Sequence, residues 1–115
     1  MPWALTRTKL LEHYRALDLT DERCYLCGSI LADLGAEVIK VERPCGAASS
    51  KNVRDSLPWL TYNRGKKCIT LDLEKEAGQA IFRQMVRATD LVIESFPPGH
   101  LDALGIGDRA LSRSN

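Results

Sequence analysis

Residues 27–44, CGSILADLGAEVIKVERP, contain a helix pattern, a stop signal and a strand pattern in direct succession. Apolar residues recur at helical spacing as far as Leu34, and Gly35 is a residue suited to end a helix. The apolar run at residues 36–42 then predicts a strand, which Pro44 breaks. A helix that leads directly into a buried strand is typical of a βαβ unit.

Strand and helix patterns alternate on both sides of this unit. Strands are predicted at residues 14–20, 68–73 and 90–96, whereas residues 45–62 carry little periodicity and are expected to form a loop. The predicted helices follow residue 23, residue 73 and, as short turns, residues 99 and 107. Strands this rich in Val, Ile and Leu predict an α/β fold in which an open parallel sheet is buried on both faces by flanking helices.

Two of the predicted helices carry apolar stripes that we expect to face the sheet. On the first helix the stripe is Leu26, Ile30, Leu31 and Leu34. On the second it is Ala77, Ile81, Met85 and Ala88, widened by Phe82 and Val86.

The composition is that of a globular domain or part of one. The chain has 115 residues, 44% of them hydrophobic and 27% charged, with a formal net charge of +1. This charge gives no general attraction to nucleic acid or to an anionic membrane, so neither is an expected partner. No apolar run reaches the roughly 18 residues that span a bilayer, and the charged N-terminus does not resemble a signal peptide. We therefore expect a cytoplasmic location.

The cysteines do not form a metal-binding pattern. Cys24 and Cys27 make a C-x-x-C, but Cys45 and Cys68 stand alone, and a structural zinc site needs a second ligand pair. We expect no metal. Cys24 and Cys27 could form a redox pair at a helix start, but the residues between them favour buried, inert thiols.

Ligand-binding residues are expected where the parallel strands end, because ligands bind outside the carboxyl edge of such sheets. Arg43 directly follows the strand at residues 36–42, so its guanidinium could hold a phosphate there. An ordinary exposed loop arginine is the alternative. The sequence after the first strand, DLTDERCYLCG, contains neither G-x-G-x-x-G nor a P-loop, which argues against a dinucleotide bound in the usual way and against a P-loop NTPase.

The basic stretch NRGKK at residues 63–67 could be a solvated turn, a nucleic-acid patch or a site for a phosphorylated ligand. It directly precedes the strand predicted at residues 68–73. Its cations should therefore lie at the amino edge of the sheet, away from the expected ligand. We expect a structural or loop role for it.

Four segments together resemble the N-terminal part of CoA-transferase family III. They are RALDLTDER, CGSILADLGAEVIKVERP, NRGKKCITLDLEKEAGQAIF and LVIESFPPGHLDALGIG, in the family's order. The resemblance covers the chain from about Tyr14 onward. It implies that residues 14–115 are an incomplete, truncated part of a Rossmann-like large domain, and that residues 1–13 are an N-terminal extension.

The resemblance also implies an activity, which is to move CoA between an acyl-CoA thioester and a carboxylic acid through an aspartate nucleophile. Coenzyme A is then a substrate, no metal is required, and the protein is an interlocked homodimer. The nucleophile is expected beyond Asn115, so no catalytic residue is assigned to this chain. An acyl-CoA racemase of the same family and a non-catalytic CoA-binding or assembly module remain alternatives, with a thioredoxin-like redox protein a distant third. Six aspartates of the chain are considered and are not assigned as the nucleophile: Asp18, Asp21, Asp33, Asp72, Asp90 and Asp102.

By resemblance, seven residues are candidates for CoA binding. Arg43 is expected to contact a phosphate, Leu71 to pack near the adenine, and Ser95 and Phe96 to shape the adenine pocket. Glu22, Arg23 and Cys24 lie in the loop that is expected near the pantetheine arm.

Three positions depart from the family pattern. Ser95 replaces a usual asparagine, Ala103 replaces a common phosphate-binding arginine, and Cys24 replaces a frequent glycine. The resemblance therefore predicts an anion site that keeps Arg43 but has lost an arginine at position 103.

Overall fold

The computed structural model describes residues 8–44 and 56–113, and the predicted alternation of strands and helices is confirmed there. The strands of the described residues are β1 (Arg15–Leu19), β2 (Glu37–Glu42), β3 (Lys67–Thr70) and β4 (Leu91–Glu94). Their helices are α1 (Tyr25–Asp33), α2 (Leu57–Asn63), α3 (Glu76–Arg87), α4 (His100–Ala103) and α5 (Asp108–Ser112).

The described strands form one parallel sheet in the order β3-β2-β1-β4, as the α/β prediction requires. In the register of this sheet Leu17 of β1 lies beside Ile39 of β2 and Val92 of β4. The chain moves in one direction from β1 to β3 and then returns to the other side of β1 for β4. The sheet therefore has a topological switch point between β1 and β4, where open α/β sheets bind ligands.

The two faces of the sheet pack against different helices. Neighbouring strand residues point to opposite faces, so Leu17 faces α3 while Asp18 faces α1. Toward α3 lies the larger apolar core, formed by Leu17, Leu19, Val41, Leu71, Leu73, Phe82, Val86 and Ile106. Toward α1 lies a smaller cluster of Ala16, Ala36 and Val38, against which Leu31 and Ala32 pack.

The α1 helix ends as the sequence predicts. Gly35 has a φ of 105°, a left-handed conformation that glycine adopts without a steric penalty. The Gly35 N–H donates to the carbonyl of Ala32 and the Ala36 N–H donates to that of Leu31, each at 3.0 Å. These two bonds form a Schellman motif, which turns the chain directly into β2.

The buried stripe predicted for α1 is wrong except at Leu31, which packs against the smaller cluster. Leu26, Ile30 and Leu34 are exposed, and the buried residues of the helix are Tyr25 and Gly28. A Cβ atom on Gly28 would lie 2.3 Å from Oδ2 of Asp18, so the missing side chain lets the helix approach β1. The position with the least apolar surface thus faces the sheet, because the sheet presents a carboxylate there.

The stripe predicted for α3 is displaced by one residue. Gly78, Phe82 and Val86 are buried, whereas Ile81 is half exposed. Phe82 and Val86, which were expected only to widen the stripe, form its centre. Phe82 is the largest fully buried side chain of the described residues, and burial of the largest apolar surface decides the rotation of the helix.

The expectation of a loop at residues 45–62 is wrong for its last part, which forms α2; residues 45–55 lie outside the described residues. Ser56 caps this helix, and its Oγ accepts a hydrogen bond from the Trp59 N–H at 3.4 Å. Pro58 lies in the first turn, where its missing N–H removes no helical hydrogen bond. Pro58 is thus part of a helix start.

Candidate functional site

The loops that follow β1 and β4 contact each other at the switch point. The Asp21 N–H donates to Oγ of Ser95 at 2.9 Å, and Nη2 of Arg23 donates to the Ser95 carbonyl at 3.2 Å. The hydrogen bonds of Arg23 lower the pKa of Asp21 to about 2, so this carboxylate stays charged and keeps its partner. Two of the residues predicted to bind CoA, Arg23 and Ser95, are therefore brought together.

A second contact joins the loops that follow β2 and β4, and we call its three side chains the Arg43 cluster: Arg43, Phe96 and His100. The guanidinium carbon of Arg43 lies 5.3 Å from the centre of the Phe96 ring, which is a cation–π distance. The rings of Phe96 and His100 are 4.7 Å apart, and Nη2 of Arg43 lies 3.4 Å from Nε2 of His100. The predicted residues Arg43 and Phe96 thus meet, together with a histidine that sequence reasoning did not select.

The guanidinium of Arg43 has no carboxylate partner within residues 8–44 and 56–113. Its guanidinium lies over the ring of Phe96 instead. Arg43 is also exposed, so an anionic ligand could accept hydrogen bonds from it.

The Arg43 cluster borders a cleft of about 230 Å³ at the carboxyl edge of the sheet. Chain segments that follow β2, β3 and β4 line it, and those after β3 contribute the carboxylates of Asp72 and Glu74. Oδ2 of Asp72 lies 3.6 Å from Nζ of Lys75, which offsets part of this negative charge. The lining residues are Arg43, Pro44, Asp72, Leu73, Glu74, Phe96, His100 and Leu104.

The remaining predicted residues lie in different surroundings. Glu22 and Cys24 are exposed in the loop after β1. Leu71 is buried in the core that faces α3, directly beneath the edge, and its N–H donates to the Glu42 carbonyl at 2.8 Å. Its contact with adenine stays a prediction, as does CoA binding by the other six residues.

The expectation that Cys24 and Cys27 are buried is wrong, because both are exposed free thiols. Tyr25 and Gly28 occupy the side of α1 that faces the sheet. Cys24 directly precedes Tyr25, and Cys27 directly precedes Gly28. One position along a helix is a rotation of about 100°, so both cysteines lie away from the sheet.

A buried group of charges, which we call the Asp18 cluster, was not predicted: it consists of Asp18, Lys40 and Lys66. Oδ2 of Asp18 accepts from Nζ of Lys66 at 2.6 Å, and Oδ1 lies 3.4 Å from Nζ of Lys40. Oδ1 also accepts from the N–H and the hydroxyl of Thr20, at 2.9 and 2.6 Å. Asp18 and Lys66 have side chains that are 0% exposed, so this is an ion cluster inside the protein.

Every donor of the Lys66 ammonium has an acceptor in the Asp18 cluster. Besides Asp18, it donates to the Tyr25 carbonyl at 3.1 Å and to Oδ1 of Asn63 at 2.8 Å. Lys40 donates to the carbonyl of Thr20, and its ammonium lies 4.7 Å from the centre of the Tyr25 ring. The cluster is therefore fully hydrogen-bonded, as buried charges must be.

Burial and pairing have opposite effects on the carboxylate of the cluster. Burial alone would raise the pKa of Asp18, but hydrogen bonds from Lys66 and Thr20 and the charge of Lys40 outweigh it and lower that pKa. Burial lowers the pKa of Lys40, and Asp18 offsets only part of this effect. The cluster thus holds one carboxylate that is firmly charged and two ammonium groups, one of them disfavoured by burial.

The structural role expected for NRGKK is confirmed. Lys66 fastens the turn before β3 to β1 through Asp18, and Lys67 pairs with Glu37 at the amino ends of β3 and β2, with the nitrogen and oxygen 2.5 Å apart. One signal in the sequence could have indicated the cluster. Asp18 and Lys40 each lie in the middle of an otherwise apolar strand pattern, where a charge requires a partner.

The described residues contain neither a metal-binding cluster nor a membrane-spanning helix. Across residues 8–44 and 56–113, no three side chains of His, Cys, Asp or Glu are grouped so that they could hold a metal ion. Within the same ranges, no helix has the length and apolar content needed to cross a membrane.

Comparisons with known proteins agree with this fold. The family model "CoA-transferase family III" matches residues 13–115. A "Succinyl-CoA:(R)-benzylsuccinate CoA-transferase subunit BbsE" of Thauera aromatica is 40% identical over 89% of this chain and 27% of its own length. A "Probable fatty acyl-CoA transferase Rv3272" of Mycobacterium tuberculosis is 39% identical over 93% of this chain and 29% of its own length.

Solved structures give the same result. A crystal structure of Rv3272 from M. tuberculosis superposes with a TM-score of 0.81 at 37% identity, and covers 93% of this chain and 30% of that protein. A CAIB/BAIF family protein from Brucella suis superposes with a TM-score of 0.77 at 32% identity over 90% of this chain. The chain spans less than a third of the length of these relatives. The chain belongs to CoA-transferase family III.

Proposed function

We propose that this chain supplies part of the CoA-binding edge of an enzyme that moves CoA between an acyl-CoA thioester and a carboxylic acid. The observation that carries the proposal is the Arg43 cluster, which presents an aromatic face beside one cleft and a guanidinium with no carboxylate partner among residues 8–44 and 56–113. Relatives named as succinyl-CoA, formyl-CoA and fatty acyl-CoA transferases support the reaction class. Coenzyme A is the ligand in this proposal.

Each part of the edge has a role that follows from its chemistry. The guanidinium of Arg43 donates charge-assisted hydrogen bonds to a CoA phosphate, and Phe96 offers a ring against which adenine can pack. Ser95 is held by the Asp21 N–H and Arg23, so the loop that carries Phe96 has a fixed position before the ligand arrives. Such fixing reduces the entropy that binding must overcome.

Calorimetric titration with CoA tests the proposal. We expect Arg43→Ala to weaken CoA binding by about ten- to a hundredfold, because a hydrogen bond to a charged group contributes about 1.5–3 kcal/mol. Arg64→Ala is the matched control, since Arg64 is also exposed but lies at the opposite edge, next to β3. Equal affinity in wild type and Arg43→Ala would remove Arg43 from the site, and failure of the wild-type chain to bind CoA would contradict the proposal.

We further propose that the nucleophilic aspartate lies outside this chain, so that the chain binds CoA without transferring it. Incubation with succinyl-CoA and a panel of carboxylic acids should give no new thioester, as followed by chromatography. Turnover would mean that an aspartate within residues 1–115 acts as the nucleophile.

The homodimeric state and the cytoplasmic location implied by the resemblance belong to the same proposal. Sedimentation equilibrium tests the first of them. A single species at the mass of one chain, 12.8 kDa, at all concentrations would contradict dimerisation of this chain.

A further inference from the structure

We propose that His100 is a binding residue that forms a phosphate clamp with Arg43, and that it takes the place of the arginine that is missing at position 103. This inference rests on the proposed function, because the phosphate is assigned to CoA. It adds a residue that neither the family pattern nor the sequence motifs selected.

The geometry of the pair carries the inference. Nη2 of Arg43 lies 3.4 Å from Nε2 of His100, and a guanidinium can only donate hydrogen bonds. An anion that lies beside both nitrogens can accept a hydrogen bond from the guanidinium of Arg43 and, with the imidazole proton on Nε2, another from His100.

The ring of His100 is already positioned for this role. Phe96 holds it at a ring distance of 4.7 Å and also holds the guanidinium of Arg43 at 5.3 Å. Both nitrogen groups are therefore fixed by one aromatic side chain, and neither has to be ordered when the anion binds. Two donors at this spacing suit the several acceptor oxygens of a phosphate.

The inference predicts that His100 contributes to CoA affinity. Calorimetry would compare wild type, His100→Gln and His100→Arg at pH 6. His100→Gln removes the ring that Phe96 holds in place, so CoA binding should weaken by about tenfold. His100→Arg supplies a cationic donor and should bind CoA about as well as wild type.

His13→Gln is the matched control, because the other histidine of the chain is exposed and lies before β1. Thermal unfolding midpoints should be the same for all variants, and binding by His100→Arg separates a lost clamp from a lost fold. Titration with 3′-dephospho-CoA identifies the phosphate. If the His100→Gln penalty disappears, the clamp holds the 3′-phosphate, and if it persists, the clamp holds the pyrophosphate.

Three outcomes would overturn the inference. Equal CoA affinity in wild type and His100→Gln at pH 6 removes His100 while leaving the proposed function intact. A His100→Gln penalty that persists with pantetheine, which has no phosphate, excludes a phosphate clamp. Failure of the wild-type chain to bind CoA overturns both the clamp and the proposed function.

Discussion

The two faces of the sheet are both buried but are stabilised in opposite ways. Toward α3 the contacts are apolar and centre on Leu17, Phe82 and Ile106. Toward α1 the centre is the Asp18 cluster, with few apolar side chains around it. Leu17 and Asp18 are neighbours in β1, each 0% exposed, so one strand contributes to both kinds of packing.

The difference teaches what each face does for the fold. Apolar contacts are not directional, and they tolerate substitutions that change the shape of a side chain only slightly. A buried ion cluster stabilises little in total, but removal of one member leaves the others uncompensated. We therefore expect the face toward α3 to supply most of the stability. We expect the face toward α1 to specify that the turn at Lys66 packs on β1.

The largest expected effect is that of Asp18→Asn. It removes the only carboxylate of the cluster and leaves two buried ammonium groups without an anion, at a cost of about 3–5 kcal/mol. Urea denaturation followed by circular dichroism measures this change. Asp33→Asn is the control, because this exposed residue of α1 should shift stability by less than about 0.5 kcal/mol. A small effect of Asp18→Asn would mean that water reaches the cluster.

Leu17→Ala tests the opposite face at the adjacent residue. We expect a loss of about 2–5 kcal/mol, since a buried leucine is replaced and a cavity remains. Leu57→Ala, at an exposed position of α2, serves as the control in the same urea experiment. If Leu17→Ala cost no more than this control, the core assigned to the α3 face would be wrong.

The two lysines of the Asp18 cluster should differ from each other. Lys66→Met leaves three oxygen acceptors without their donor and should cost about 1–3 kcal/mol. Lys40→Met leaves the Thr20 carbonyl without its donor, but it also removes the ammonium that burial disfavours while Asp18 keeps Lys66, so it should cost less than Lys66→Met. Equal losses in the two variants would contradict the unequal roles of the lysines.

The smallest expected effect is a difference in acid sensitivity. The pKa of Asp18 is lowered in the folded protein from 3.8, so its contribution is complete above that pH. It is lost as the pH falls through the lowered value, because the unfolded chain then binds the proton more readily. Urea titrations between pH 5 and pH 2 should show that the free energy of unfolding falls more steeply with pH for wild type than for Asp18→Asn. For Leu17→Ala it should fall as steeply as for wild type.

Much of the fold could be predicted from sequence, because the strands are apolar runs and α3 has apolar residues at regular helical spacing. The rotation of each helix could not. In α3 the stripe around Ile81 and the stripe around Phe82 differ by one residue, and only packing decides between them. In α1 most of the apolar stripe is exposed and Gly28 faces the sheet, because Asp18 and Lys66 occupy the space beside this glycine.

The candidate site was predicted to a similar extent. Arg43 directly follows β2 and Phe96 lies two residues after β4, so the rule for strand ends places them at one edge, and the structure brings them together. His100 carries no such signal, because its position depends on the short turn of α4. The Asp18 cluster joins residues 48 positions apart, which local pattern reasoning cannot link.

The central position of β1 has a consequence for how the protein is made. β2 follows β1 closely in the sequence and pairs with one side of it. β4 pairs with the other side of β1 but comes much later in the sequence. The hydrogen bond from the Arg15 N–H to Asp90 beside this pair joins residues 75 positions apart. During synthesis β1 and β2 can pair while the other edge of β1 stays open. An open edge accepts any strand, including one from a second nascent chain. We expect refolding yield to fall as protein concentration rises, and the final docking of β4 to end this vulnerability.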